Sequence, residues 1–236
     1  MSTSFNPYAV GPVAEAPLET RTDFVRKTYT HLAGAIGVFA VLEWMLLSII
    51  PAETILGLLQ ARYSWLMVLG AFMVVSWVAN KWAYNGASKG MQYAGLGLYI
   101  LAEAVIFLPL LMMATIYDPA AIGKAGAVTG FMVLGLTAIA FTTKKDFTFL
   151  GGILKLGFII ALGVIVAGVF FPSLMSGMGI WFSIGMIVLA SGSILYNTSA
   201  IMYHYAPGQH VAASLSLFAS VALLFWYVLR LFMSRD

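Results

Sequence analysis

Apolar residues in this chain come in long unbroken runs, not in the alternating or one-faced patterns of soluble strands and helices. Seven such runs follow one another, at about 30–50, 63–82, 91–117, 122–143, 150–171, 178–205 and 209–233. A helix of about 20 mostly apolar residues crosses a hydrocarbon core of about 30 Å, so each run predicts one membrane span. The connections are short and carry turn residues: Pro51, Asn85-Gly86, Asp118-Pro119, Pro172 and Pro207-Gly208. No gap could house a soluble domain. Residues 1–20 hold Pro7, Pro12 and Pro17 and no apolar run, which predicts a disordered tail and not a signal peptide. The expected organisation is therefore a cytoplasmic tail over 1–20 and an all-α, seven-helix transmembrane domain over 21–236.

Composition agrees. Of 236 residues, 61% are hydrophobic and only 9% charged, where a soluble domain carries about a quarter charged residues. The absence of cysteine removes disulfides, thiol catalysis and Cys-ligated metal together. A net charge of +3 is too small, on so apolar a chain, to suggest nucleic acid as a partner. What matters is where the basic residues sit. Seven spans put Arg21, Arg26, Lys27, Lys81, Lys89, Lys144, Lys145 and Lys155 on the side of the N-terminus. Arg62, Lys124, Arg230 and Arg235 fall on the other. The positive-inside bias then places the N-terminus in the cytoplasm, unless the last run is re-entrant. Lys81, Lys155 and Arg230 lie near enough to span ends to read as snorkelling anchors. Small residues such as Gly126-x-x-x-Gly130, Gly151-Gly152, Gly163 and Gly168 are expected to serve close helix packing.

Ionisable residues inside a span are expensive and mark candidate functional positions. Glu43 and Glu103 are the two acids that qualify, and each lies about 18–20 Å from the cytoplasmic end of its helix. If their helices touch, the two carboxyls share one level. They would then hold a proton between them or bind a cation, or each would be neutral and hydrogen-bonded to a neighbouring helix. Gln92, Tyr99 and Glu103 fall on one inward stripe. The sixth and seventh spans carry matching polar seams, Ser193, Asn197 and His204 on one and Ser216, Ser220, Tyr227 and Arg230 on the other. Asn197 lies about 12 Å and Ser220 about 15 Å from the turn between them, so the two could meet. Such a contact is uncharged and, as packing alone, contributes about 1 kcal/mol. His204, with His210, lies near the interface, where an imidazole can titrate around neutral pH.

Enzyme signatures fail in context. Gly86-Ala-Ser-Lys-Gly90 matches a nucleophile-elbow pattern, but it joins two spans where the elbow needs a strand and then a helix. Asp118 and Asp146 sit in connections, which excludes an intramembrane aspartyl protease. No H-E-x-x-H, P-loop or convincing metal set occurs. The reading is of a non-enzyme without a cofactor.

Four stretches carry a resemblance: RTDFVRKTYTHLAG from Arg21 to Gly34, TKKDFTFLGG from Thr143 to Gly152, SILYNTSAI from Ser193 to Ile201, and SLSLFA with LRLF in the last span. Over about residues 20–233 the chain resembles the transmembrane Bax inhibitor motif family, in its bacterial YccA-like branch. The T-K-x-D-F-x-F-L-G-G connection is the most specific piece. The resemblance implies six helices packed around a central C-terminal helix. It also implies Ca²⁺ leak, pH-dependent in bacterial members, protection from cell death in eukaryotes, and, for YccA-like members, restraint of a membrane-anchored AAA protease. The family's pH latch is a pair of aspartates in the wordings I-L-Y-D-T and S-L-Y-L-D. These fall on Asn197 and Ser220, which cannot titrate and lack the negative charge that Ca²⁺ favours. Lys81 is the cytoplasmic-side candidate for the basic residue of that latch. Two readings follow: a leak for Ca²⁺ or another cation without the proton latch, or a protein of the inner membrane that binds a membrane protease complex.

Overall fold

The computed structural model describes residues 11–60, 64–86, 88–143 and 145–234. Arg62, Lys144 and Arg235 of the charge count, Tyr63 at the head of the second run, Ala87 of the elbow-like motif and residues 1–10 of the expected tail lie outside them. Among the described residues eight α-helices form: α1 (Leu18–Ile49), α2 (Ala52–Gln60), α3 (Ser64–Ala83), α4 (Lys89–Tyr117), α5 (Pro119–Thr143), α6 (Gly151–Phe170), α7 (Pro172–Tyr203) and α8 (His210–Met233). All but α2 include a stretch long and apolar enough to cross a membrane. The start of α1 and the α3–α4, α5–α6 and α7–α8 connections share one end of the bundle, called the near end below.

Helix boundaries follow local chemistry. Ser88 caps α4 by accepting from the Met91 N–H at 3.3 Å. Pro119 and Pro172 open α5 and α7, where a missing N–H costs nothing. The short α2 was not expected. It follows Pro51 and rests on α4, where Ile55 packs against Leu108 and Met112.

The last helix takes the middle. α8 packs against α1, α3, α4, α5 and α7, while α6 sits outside on α7 and on the 3-10 turn Phe147–Leu150 that precedes it. Aromatic side chains knit the centre: Phe39 meets Phe107 and Phe218 edge-on at 5.1 and 5.9 Å, and Phe107 meets Trp226 edge-on at 4.9 Å.

Two expectations change. Residues 11–20 are not a free tail: Val13 is buried, its N–H donates to the Tyr205 carbonyl at 2.8 Å, and α1 is helical from Leu18. Gly126 and Gly130 face open space and close no helix contact. The tight approaches lie at Gly95, where an added Cβ would stand 2.5 Å from the Ala79 carbonyl oxygen, and at Gly157, closed over by Leu189.

Candidate functional site

The polar seams predicted on the last two spans converge. Asn197 of α7 donates one amide hydrogen to Ser220 Oγ at 2.8 Å and the other to the Ser216 carbonyl at 3.2 Å. Ser220 Oγ spends its own hydrogen on the Ser216 carbonyl at 3.1 Å, so it can only accept from Asn197. Both acceptors therefore require an amide nitrogen at this position, which fixes the orientation of the Asn197 amide. A carboxylate there could donate to neither.

A second layer lies towards the near end. Tyr84, at the end of α3, meets Tyr205 Oη at 2.7 Å, and Tyr205 Oη meets Ser216 Oγ at 3.0 Å. Ser216 passes its hydrogen to the Ala212 carbonyl at 3.1 Å, so the hydroxyls donate in one direction, Tyr84 to Tyr205 to Ser216. Burial, with the Tyr84 hydroxyl beside it, holds the Tyr205 phenol well above its ordinary range, so it stays a neutral donor. The two layers tie α3, α7, the α7–α8 turn and α8 together without a charge.

These groups border a cavity of about 900 Å³ lined by α3, α4, α6, α7 and α8. Its walls are mostly hydrocarbon. Its polar lining includes Ser193, Asn197, Ser216, Ser220 and Tyr227 from the two seams, Tyr99 and Glu103 from α4, and the cations Lys155 and Arg230. The anchor reading of Lys155 and Arg230 is thus incomplete, because both face this space. Lys81 does not: it lies over the Trp77 ring, 5.3 Å from its centroid.

α1 packs on α4, and these two helices carry Glu43 and Glu103. Both are buried. Glu103 shares its α4 stripe with Tyr99, and among the described residues neither carboxyl oxygen of Glu43 has a hydrogen-bond partner. Gln92, the third member of the α4 stripe, donates instead to the Asn85 carbonyl at 2.8 Å, closing the α3–α4 turn.

His204 lies away from the cavity lining. Its Nε2 is 2.8 Å from Asp146 and 3.2 Å from Thr148 Oγ1, and Ser199 accepts from the Phe147 N–H at 3.1 Å. The TKKDFTFLGG connection is thereby fastened to the last turns of α7. Partial burial works to raise the Asp146 carboxyl, but hydrogen bonds from Thr148 and His204 outweigh it and hold the group below the usual carboxylate range.

Tyr84 and Tyr205 escaped the sequence reading. A tyrosine at a span end is the ordinary composition of a membrane interface, and nothing in the spacing says that these two touch.

The family described as "Inhibitor of apoptosis-promoting Bax1" matches residues 21–236. The chain belongs to this Bax inhibitor family. Among relatives, it is 30% identical to "Modulator of FtsH protease YccA" of Escherichia coli K12 over 64% of this chain and 82% of that protein. It is 27% identical to "Protein lifeguard 4" of the mouse over 92% and 87%. It is also 37% identical to "Uncharacterized protein PA2604" of Pseudomonas aeruginosa, over 47% of this chain and 49% of that one. A multi-pass Bax inhibitor family protein is what the seven apolar helices and the central α8 describe.

Proposed function

We propose that this Bax inhibitor family member is a cation leak protein whose pathway is closed by uncharged hydrogen bonds instead of a proton-sensing carboxylate pair. The observation that carries the reading is the Asn197–Ser220 contact, at 2.8 Å, on the wall of the large cavity. It occupies the positions where the family wording has its two aspartates. Glu103, in the cavity wall, supplies negative charge to the path, with Glu43 behind it as the partner that shares a proton or a cation. Ca²⁺ is the reference cation, because hard oxygen ligands and carboxylate charge are what it selects. The N-terminus is cytoplasmic, as the basic residues argue, and the membrane is the bacterial inner membrane, the setting printed for a second Escherichia coli relative, "Inner membrane protein YccA". No catalytic step or cofactor is assigned.

Ca²⁺ entry into dye-loaded liposomes tests the reading, with Asn197→Ala as the variant that loosens the closure. The leak reading expects entry above protein-free liposomes, and faster entry for the variant. Absence of entry in both would sink it. The alternative then stands, that the protein binds and restrains a membrane protease, and it has its own support in the similarity to the FtsH modulator.

A further inference from the structure

A second cavity, of about 590 Å³, lies at the near end between the first turns of α1 and the last turns of α5 and α7. Its walls divide by chemistry. Leu18, Val25, Phe141 and Met202 give an apolar side, and Arg21 and Arg26 of α1 give two cations. The 32 residues of α1 make it about 48 Å long at 1.5 Å per residue, against a core of about 30 Å. With Ile49 at the far boundary, its first dozen residues project past the hydrocarbon into headgroup depth. The two arginines thus stand at the level of lipid phosphates, and Leu18 and Val25 on the same turns give the groove an apolar side beside them.

The surrounding charges leave them available. Asp23 pairs with Arg26 at 2.9 Å and with Lys27 at 2.6 Å, and the Arg26 side chain is still 75% exposed. An exposed pair of that kind holds its partner weakly. Arg21 makes no ion pair among the described residues, and the other acids at this end, Glu15, Glu19 and Asp146, do not line the cavity. Guanidinium groups bind phosphate oxygens two at a time, and basic pockets between membrane helices on the cytoplasmic side take anionic headgroups.

We propose that this groove is a binding site for one anionic phospholipid of the near leaflet. Its phosphate lies on Arg21 and Arg26, and an acyl chain runs along Val25, Phe141 and Met202. Val13, which lines the same cavity and is fastened to Tyr205, places the lipid against the attachment of the N-terminal segment.

Native mass spectrometry of the purified full chain, titrated with phosphatidylglycerol or phosphatidylcholine, tests the site. The proposal expects phosphatidylglycerol to be retained and phosphatidylcholine not. Arg21→Gln with Arg26→Gln should weaken retention roughly 30-fold, and Met202→Trp, which fills the apolar wall and keeps both arginines, should also lower it. Lys124→Gln, at the far end, should leave it unchanged. Circular dichroism confirms that each variant is folded. Equal retention of the two lipids, or phosphatidylglycerol binding untouched by the double arginine variant, would overturn the proposal. So would an unaltered affinity in Met202→Trp, or displacement of the lipid by inorganic phosphate alone, which would mean an anion site without a lipid.

Discussion

α6 and α8 are both long enough to cross a membrane, and α6 is the more apolar of the two. Yet 72% of the apolar stretch of α8 is buried in protein and only 11% of that of α6. Hydrocarbon does not decide between them, since a lipid tail suits a leucine as well as a neighbouring helix does. What α8 has is a seam of small and polar residues. Ala212, Ala213 and Ser214 let backbones approach, and Ser216 and Ser220 accept hydrogen bonds that lipid cannot supply. α6 comes close to α7 at Gly157 under Leu189 and at Gly151 beside Tyr196, buries Leu154 and Ala161, and turns residues such as Ile159 outward. Apolarity puts a helix in the membrane, and polar pairing with small residues puts it in the middle.

The sharpest way to break that comparison is to truncate one large apolar side chain on each helix. Phe218→Ala on α8 removes a buried ring held edge-on by Phe39 and Tyr99 and should cost about 3 kcal/mol. Ile159→Ala on α6 should cost less than about 0.5 kcal/mol. Unfolding in mild detergent, followed by circular dichroism, reads both, and equal losses would contradict the assignment of α8 as the centre. Next in size is Gly95→Ala, whose Cβ would meet the α3 backbone, with an expected loss of about 1–3 kcal/mol. Gly126→Ala, in open space, should be neutral or stabilising by up to about 1 kcal/mol. Asn197→Ala deletes two hydrogen bonds to α8 and should cost about 1 kcal/mol.

The smallest effect is expected at the Asp146–His204 fastening. The Asp146 carboxyl is held below its ordinary range in the folded chain, so its contribution is present above that range and is lost as pH falls through its lowered value. Protection of the Phe147 and Thr148 amides against hydrogen exchange, taken relative to the intrinsic rate at each pH, should therefore fall in acid. Asp146→Asn should abolish the acid step.

The seven spans and the meeting of Asn197 with Ser220 were legible because both depend only on length along a helix of fixed rise. Legibility ended where contacts join segments with no common register. Val13 reaching Tyr205, Tyr84 reaching Tyr205, and α2 folding onto α4 depend on how helices are arranged around α8, and no periodicity encodes that. That Lys155 and Arg230 line the cavity was not legible for a related reason. A cation near a span end fits snorkelling and cavity lining equally well until the neighbouring helix is in place.

The central claim is that the closure at Asn197 and Ser220 is neutral and so does not respond to protons. Ca²⁺ entry into dye-loaded liposomes, measured from about pH 6 to about pH 8, compares the natural chain with the Asn197→Asp, Ser220→Asp double variant across the range where a coupled carboxylate pair can titrate. The account predicts a leak that varies little with pH for the natural chain and a pH-dependent leak once two carboxyls face each other. A steep pH dependence in the natural chain would contradict it.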